Sequence, residues 1–216
     1  MRRNWGSYKA AIPIVSGIAY IPNPYDLEGR FVPERYLAGL PPALQKQRIR
    51  ELTESRDAYR KGDFSELPTD RAARKMGLVK ESAYTTVAKK RGIEWRGDAD
   101  DMASRVLSHY VRSAPAREKA ELAQALAASF RKGLAAWKSG GHRPGATAQN
   151  WAVARVNSLV VGGKTAWTAD RKQFAALPDR AREEVVAQMG GVLAALKKQK
   201  RQKDMDFLSG VLQGGS

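Results

Sequence analysis

The chain has 216 residues, no cysteine and two histidines, and its 38 lysines and arginines exceed its 22 aspartates and glutamates by 16. The lack of cysteine excludes disulfides and zinc–thiolate sites. Two histidines exclude a histidine-rich metal site, and we expect neither a metal nor a cofactor. No apolar run approaches the roughly 20 residues that span a bilayer, and no signal peptide is recognisable.

The positive charge is spread over the whole chain. Residues 1–97 and residues 98–216 each contain 19 basic and 11 acidic residues. Nucleic acid, an acidic protein or an anionic membrane would each attract such a surface. The even spread favours a protein packed among phosphates or acidic neighbours over a protein with one small anion site.

The N-terminal segment differs from the rest of the chain. Prolines at 13, 22, 24 and 33 exclude a long helix there, because proline removes a backbone donor and clashes with the preceding turn. The β-branched and aromatic residues between these prolines favour extended structure. We therefore predict a short extended or β-like N-terminal arm over residues 1–33.

The remaining pattern is helical, with apolar residues at helical spacing between glycine and proline stops. Thr69 and Asp70 are predicted to cap a short basic helix. The strongest prediction is the alanine-rich helix that follows Pro115. The predicted helices lie at 42–61, 69–77, 80–91, 97–113, 115–141, 147–163, 164–177 and from 179 onward.

The predicted fold is mainly α, since no alternation of strands and helices is visible. We divide the chain into an extended arm (1–33), a helical core domain (34–178) and a long C-terminal basic helix (179–216). Arms of this kind pack most often on their own domain and in other cases on a neighbouring subunit. We expect the protein to be part of an oligomer or larger assembly.

Two segments suggest phosphate binding. The sequence GGKT at 162–165 lacks the glycine that a phosphate loop requires at position 158 and is not preceded by a predicted strand, although exposed glycine amides with Lys164 would suit a single phosphate. The run KKQKRQK is either a solvated face or a set of phosphate contacts that read no base. The candidate nucleic-acid or phosphate ligands are Arg143, Arg155, Lys164, Lys197, Lys198, Lys200, Arg201 and Lys203.

A catalytic site is harder to identify. Loop 139–147 with Arg155, Lys164 and Asp170 would suit a nuclease or another phosphate-handling enzyme, but no nucleophile or acid–base pair can be named. We therefore predict no catalytic residue, and we interpret Trp151 and Asp170, together with Arg155, as a structural lock.

The stretch 132–170 contains, in this order, Lys132-Gly133, Trp137, Ser139-Gly140, Arg143-Pro144, Thr147, Trp151, Ala154-Arg155, Ser158, Gly162-Gly163-Lys164 and Asp170. This pattern resembles an uncharacterised family of small basic proteins from large algal DNA viruses and marine phages. The segment 31–62, FVPERYLAGLPPALQKQRIRELTESRDAYRKG, is similar to the opening of that family. The resemblance implies a viral or phage origin and a place in the virion, and it implies no activity.

The function expected from charge and resemblance together is that of a non-catalytic virion structural protein, either a minor capsid, connector or internal component. Its expected partners are DNA and other virion proteins, with no membrane contact, in the virion or in the cytoplasm of the infected host cell. The first alternative is a sequence-tolerant DNA-binding protein outside the virion. The second is the phosphate-handling enzyme or nuclease described above.

Overall fold

The computed structural model describes residues 32–79, 81–93, 104–106, 114–140 and 143–214. In these ranges the chain forms helices and no strand, which confirms the mainly α fold. Nearly all of the predicted arm, and most of the predicted helix at 97–113, lie outside the described residues. The helices are α1 (Pro42–Glu54), α2 (Arg56–Arg60), α3 (Pro68–Lys75), α4 (Ala83–Lys90), α5 (Ala116–Gly140), α6 (Ala148–Val160), α7 (Lys164–Trp167), α8 (Arg171–Ala175), α9 (Asp179–Ala187), α10 (Met189–Lys198) and α11 (Gln202–Gly214), preceded by a 3-10 turn at Glu34–Tyr36.

The pairing of α5 with α6 organises the fold. Gly133 lies in the interior of α5, where glycine weakens a helix by about 1 kcal/mol relative to alanine. Its place is explained by packing: a Cβ built there would lie 2.5 Å from Cα of Ala152 on α6. The absence of a side chain at 133 therefore lets the two helix backbones approach closely.

Two apolar clusters lie along this pair of helices. The larger cluster includes Leu122 and Leu126 of α5 and Val156 and Leu159 of α6. The smaller cluster forms at the other end, where Trp137 of α5 and Ala148 of α6 meet residues from α1, α2 and the segments beside them. Trp137 is 2% exposed and contacts the ring of Tyr59 edge-on, with 4.8 Å between ring centroids. The helix pair thus joins the N-terminal and C-terminal parts of the described chain.

The structure divides the predicted long C-terminal helix into α9, α10 and α11. The sharpest break is at Lys200, whose φ of 55° lies in the left-handed region. The amide of Arg201 there donates to the carbonyl of Leu196 at 3.1 Å, which ends α10 in a Schellman-type turn. The turn lets Leu208 of α11 reach the larger cluster, where it is fully buried together with Leu196.

The described helices include none that is both long and apolar enough to cross a bilayer.

Candidate functional site

Asp170 lies at the centre of a buried polar contact between α5, α6 and the start of α8. The Arg155 guanidinium donates a hydrogen bond to each carboxylate oxygen of Asp170, with 2.8 Å from Nε to Oδ2 and 2.8 Å from Nη2 to Oδ1. The hydroxyl of Ser129 donates to Oδ2 at 2.9 Å. Asp170 is fully buried and the Arg155 side chain is 13% exposed. The residue pair that the sequence interpretation grouped as a lock is therefore in direct contact.

Lys132 closes the open side of this contact. Its Nζ lies 3.6 Å from Oδ1 of Asp170 and donates to the carbonyl of Ala169 at 2.8 Å and to the side-chain oxygen of Gln173 at 2.6 Å. Both oxygens of Asp170 therefore face cations or donors of the chain itself. Trp151, one turn before Arg155 on α6, packs instead against the smaller apolar cluster.

A second buried ion pair was not foreseen from the sequence. Arg48 of α1 and Asp70 of α3 are 0% and 1% exposed, and Nη1 lies 2.9 Å from Oδ1. Thr69 beside Asp70 accepts from Arg48 at 3.1 Å and donates its hydroxyl proton to the Glu51 carboxylate. The predicted cap is wrong: the residue before α3 is Leu67, with Pro68 in the first turn, so Thr69 and Asp70 lie inside the helix and face the protein interior.

The loop between α5 and α6 rests on this second ion pair. The amide of Gly145 donates to Oδ1 of Asp70 at 2.8 Å, and the indole nitrogen of Trp137 donates to the carbonyl of Ala146 at 2.6 Å. Thr147 then caps α6 by accepting from the amide of Asn150 at 3.1 Å. These hydrogen bonds tie residues 145–147 of the loop to the rest of the fold, while Arg143 is exposed.

The GGKT turn differs from a phosphate-binding loop. It follows helix α6, and the amides of Gly162 and Gly163 donate to carbonyls of α6. A Cβ on Gly163 would lie 2.5 Å from the Ser158 hydroxyl and 2.6 Å from the Tyr84 ring. The expectation of exposed glycine amides is thus wrong. The two glycines allow close packing of the turn. Of the groups proposed to bind a single phosphate here, only the side chain of Lys164 is left.

Lys164 and Arg201 share one carboxylate. Nζ of Lys164 lies 3.2 Å from Oδ1 of Asp204, and Arg201 pairs with Oδ2. The Asp204 side chain is 12% exposed, whereas each cation is 43% exposed. Burial raises the pKa of the adjacent Tyr84 phenol, and the charge of Asp204 acts in the same direction while Arg201 opposes it. This contact ties the α6–α7 turn to α11.

Four further lysines lie near Arg201 and Asp204 in the sequence, in the last turn of α10, in the turn that follows it and in the first turn of α11. They are exposed, and none has an ion-pair or hydrogen-bond partner through its side chain within the part of the chain that the structure describes. Together with Lys164 and Arg201 they form a surface that we name the basic corner. The corner lysines are Lys197, Lys198, Lys200 and Lys203.

The structure separates the predicted phosphate ligands into three groups. The basic corner lies at the C-terminal end of α6, while Arg143 precedes its N-terminal end. The 13 residues of α6 correspond to roughly 20 Å at 1.5 Å per residue. Arg155 belongs to neither surface, because its guanidinium is committed to Asp170.

The ranges that the structure describes show no metal centre. They contain no group of three or more histidine, cysteine, aspartate or glutamate side chains that would hold a metal ion. His142, the histidine of loop 139–147, lies outside the described residues.

Comparison with known proteins identifies the family to which the chain belongs. A family described as "Family of unknown function (DUF5824)" matches residues 33–176, about two thirds of the sequence. The chain belongs to this family. No curated protein and no solved structure matches it. The DUF5824 match contains both buried ion pairs and ends before α9, so Lys164 lies inside it whereas its partner Asp204 lies outside.

Proposed function

We propose that this protein is a non-catalytic structural component of a virus or phage particle that contacts DNA phosphates through the basic corner. The DNA contact is inferred from a difference in ion pairing between the buried arginines and the exposed lysines. Arg48 and Arg155 are buried against aspartates, whereas the corner lysines have no carboxylate within 4 Å in the described residues.

Four cations lie within seven residues and have no side-chain partner in the described part of the chain, so they repel one another. Duplex DNA presents one negative charge per roughly 1.7 Å of helix axis, and binding releases its condensed counterions. A row of phosphates therefore satisfies such a surface without reading the bases. The resemblance to proteins of algal DNA viruses and marine phages supports a place inside the particle.

The enzyme alternative has less support from the geometry. Asp170 is fully buried, Oδ2 accepts from Arg155 and Ser129, and Oδ1 accepts from Arg155. A substrate or a metal ion would therefore have to displace the chain's own donors. A DNA-binding protein outside the virion uses the same corner, and only its location distinguishes it.

DNA binding is tested by measuring the affinity for a duplex of arbitrary sequence as a function of salt. When the four corner lysines are changed to glutamine, the negative slope of log Kobs against log salt should decrease in magnitude by roughly 3.6, which is about 0.9 for each lost phosphate contact. The matched control removes the same charge elsewhere and should leave most of the slope: Lys46, Lys61, Lys119 and Lys172, all exposed and without side-chain partners in the described residues. Equal losses in the two variants would show that net charge alone binds DNA and would refute the corner.

The location is tested by mass spectrometry of purified particles with the copy number per particle. A fixed copy number that follows the particle symmetry is expected. If the protein is absent from particles but binds DNA with a steep salt dependence, the DNA-binding role outside the virion replaces the virion role.

A further inference from the structure

A second basic surface lies at the opposite end of α6 from the basic corner. The α5–α6 loop packs on the last turns of α3, where a Cβ on Gly145 would lie 3.3 Å from Cγ of Arg74. Lys75, the next residue, and Arg143, two residues before Gly145, are exposed and have no side-chain partner in the described ranges. Arg74 is exposed and pairs with the half-buried Glu66. We name Arg74, Lys75 and Arg143 the loop-end surface.

The loop-end surface is held firmly, because the Asp70 carboxylate that accepts from the Gly145 amide is itself paired with buried Arg48. The basic corner is anchored in the same way at the other end, where Asp204 fixes Lys164 and Arg201. Two cationic surfaces are thus fixed at the two ends of one rigid helix.

The separation of these surfaces has an electrostatic consequence. The roughly 20 Å length of α6 exceeds the Debye length of about 8 Å at physiological salt. Phosphates bound at one surface therefore leave the charge of the other surface almost unneutralised. A protein bound to one duplex still presents a cationic surface to a second duplex.

We propose that the protein bridges two DNA segments, with the basic corner on one duplex and the loop-end surface on the other. This inference rests on the proposed DNA contact and adds a second binding surface to it. The ligand at both surfaces is the phosphodiester backbone of duplex DNA, without base recognition. Bridging of this kind draws neighbouring duplexes together, as dense packing of a genome requires.

Self-association is the rival explanation for any bridging that is observed. Met76, Leu78 and Val79 beside the loop-end surface are exposed apolar residues, and two copies joined there would also link two duplexes. Bridging by self-association requires only the corner of each copy, so it would survive the loss of the loop-end cations.

The experiment immobilises one duplex on beads and measures how much of a second, labelled duplex the full-length protein captures. The test variant changes Arg74, Lys75 and Arg143 to glutamine. It should capture about tenfold less of the second duplex, while its affinity for a single duplex falls by no more than about threefold because the corner lies beyond the Debye length. The matched control changes three exposed cations of α5 and α9 that have no side-chain partner in the described chain, and it should bridge like the wild type: Lys119, Arg131 and Arg180.

The outcomes separate this inference from the proposed function. If the wild type binds one duplex with a steep salt dependence but captures no second duplex, the inference is overturned and the proposed function stands. If the loop-end variant bridges as well as the wild type, the inference is also overturned, in favour of self-association. If the wild type binds no DNA, both proposals fail.

Discussion

Replacing Asp170 with asparagine tests whether the buried contact is structural. The change keeps the size of the side chain but removes the charge that both nitrogens of Arg155 approach at 2.8 Å. An asparagine has one acceptor oxygen, so in either orientation its amide group faces a donor of Arg155. Removing one partner of a buried ion pair costs about 3–5 kcal/mol, because the other charge stays buried without compensation. Since Arg155 is 13% exposed, we expect the lower end of that range.

The free energy of unfolding is measured by urea denaturation followed by far-UV circular dichroism. We expect Asp170→Asn to lower it by about 3 kcal/mol with an unchanged m value, which corresponds to a fall in Tm of roughly 6–12 °C for a chain of this size. Asp179→Asn is the control, because Asp179 also pairs with an arginine but its side chain is 83% exposed; it should cost no more than about 1 kcal/mol. Equal small effects of the two substitutions would refute the structural lock. Loss of DNA binding by a fully folded Asp170→Asn protein would instead indicate a binding site.

Three further predictions concern packing, backbone and pH. Gly133→Ala should lower the free energy of unfolding, measured by urea denaturation, by about 2 kcal/mol, because the added methyl group overlaps the backbone of Ala152. An unchanged free energy of unfolding would show that the backbones of α5 and α6 are farther apart at Gly133 and Ala152. Lys200→Gly should raise the free energy of unfolding by up to about 1 kcal/mol, because glycine adopts the positive φ at this position without the steric cost of a side chain. The same variant should bind DNA as weakly as Lys200→Gln does. A lower free energy of unfolding would contradict the left-handed conformation at position 200. Burial raises the pKa of Tyr84, so the folded state holds its proton more tightly than the unfolded state, and stability should decline as the pH rises above about 10. Tyr84→Phe should make that decline shallower, and an identical pH profile would exclude the contribution of Tyr84.

Several residues that carry the family resemblance make hydrogen bonds or ion pairs that stabilise the fold around α6. Thr147 caps α6, and Ser158 accepts from the amide of Thr165 in the turn after it at 3.4 Å. Trp137 holds the loop before α6 through its indole nitrogen. Arg155 and Asp170 join α6 to α8. These contacts position the ends of α6, and the two proposed DNA-binding surfaces lie at those ends.

The C-terminal helices belong to the same core as the residues matched by DUF5824. Val185, Met189 and Val192 are buried in the larger cluster with α4, α5 and α6. The carbonyl of Val185 would lie 2.6 Å from a Cβ on Gly162. Residues on both sides of position 178 therefore share one apolar cluster.

The helical nature of the chain, the location of most helices and the charge excess were determined by the sequence alone. These properties depend on residues within a few positions of one another: apolar spacing predicted α5 and α6, and glycine or proline near their ends predicted their limits. The break at Lys200 escaped prediction because a lysine in the left-handed region has no local signal. Only the tertiary structure decided which cations are neutralised, since Arg155 meets a carboxylate 15 residues away and Lys164 one 40 residues away. Pairing over such separations depends on how helices pack, and it is this packing that leaves the corner lysines without partners in the described chain.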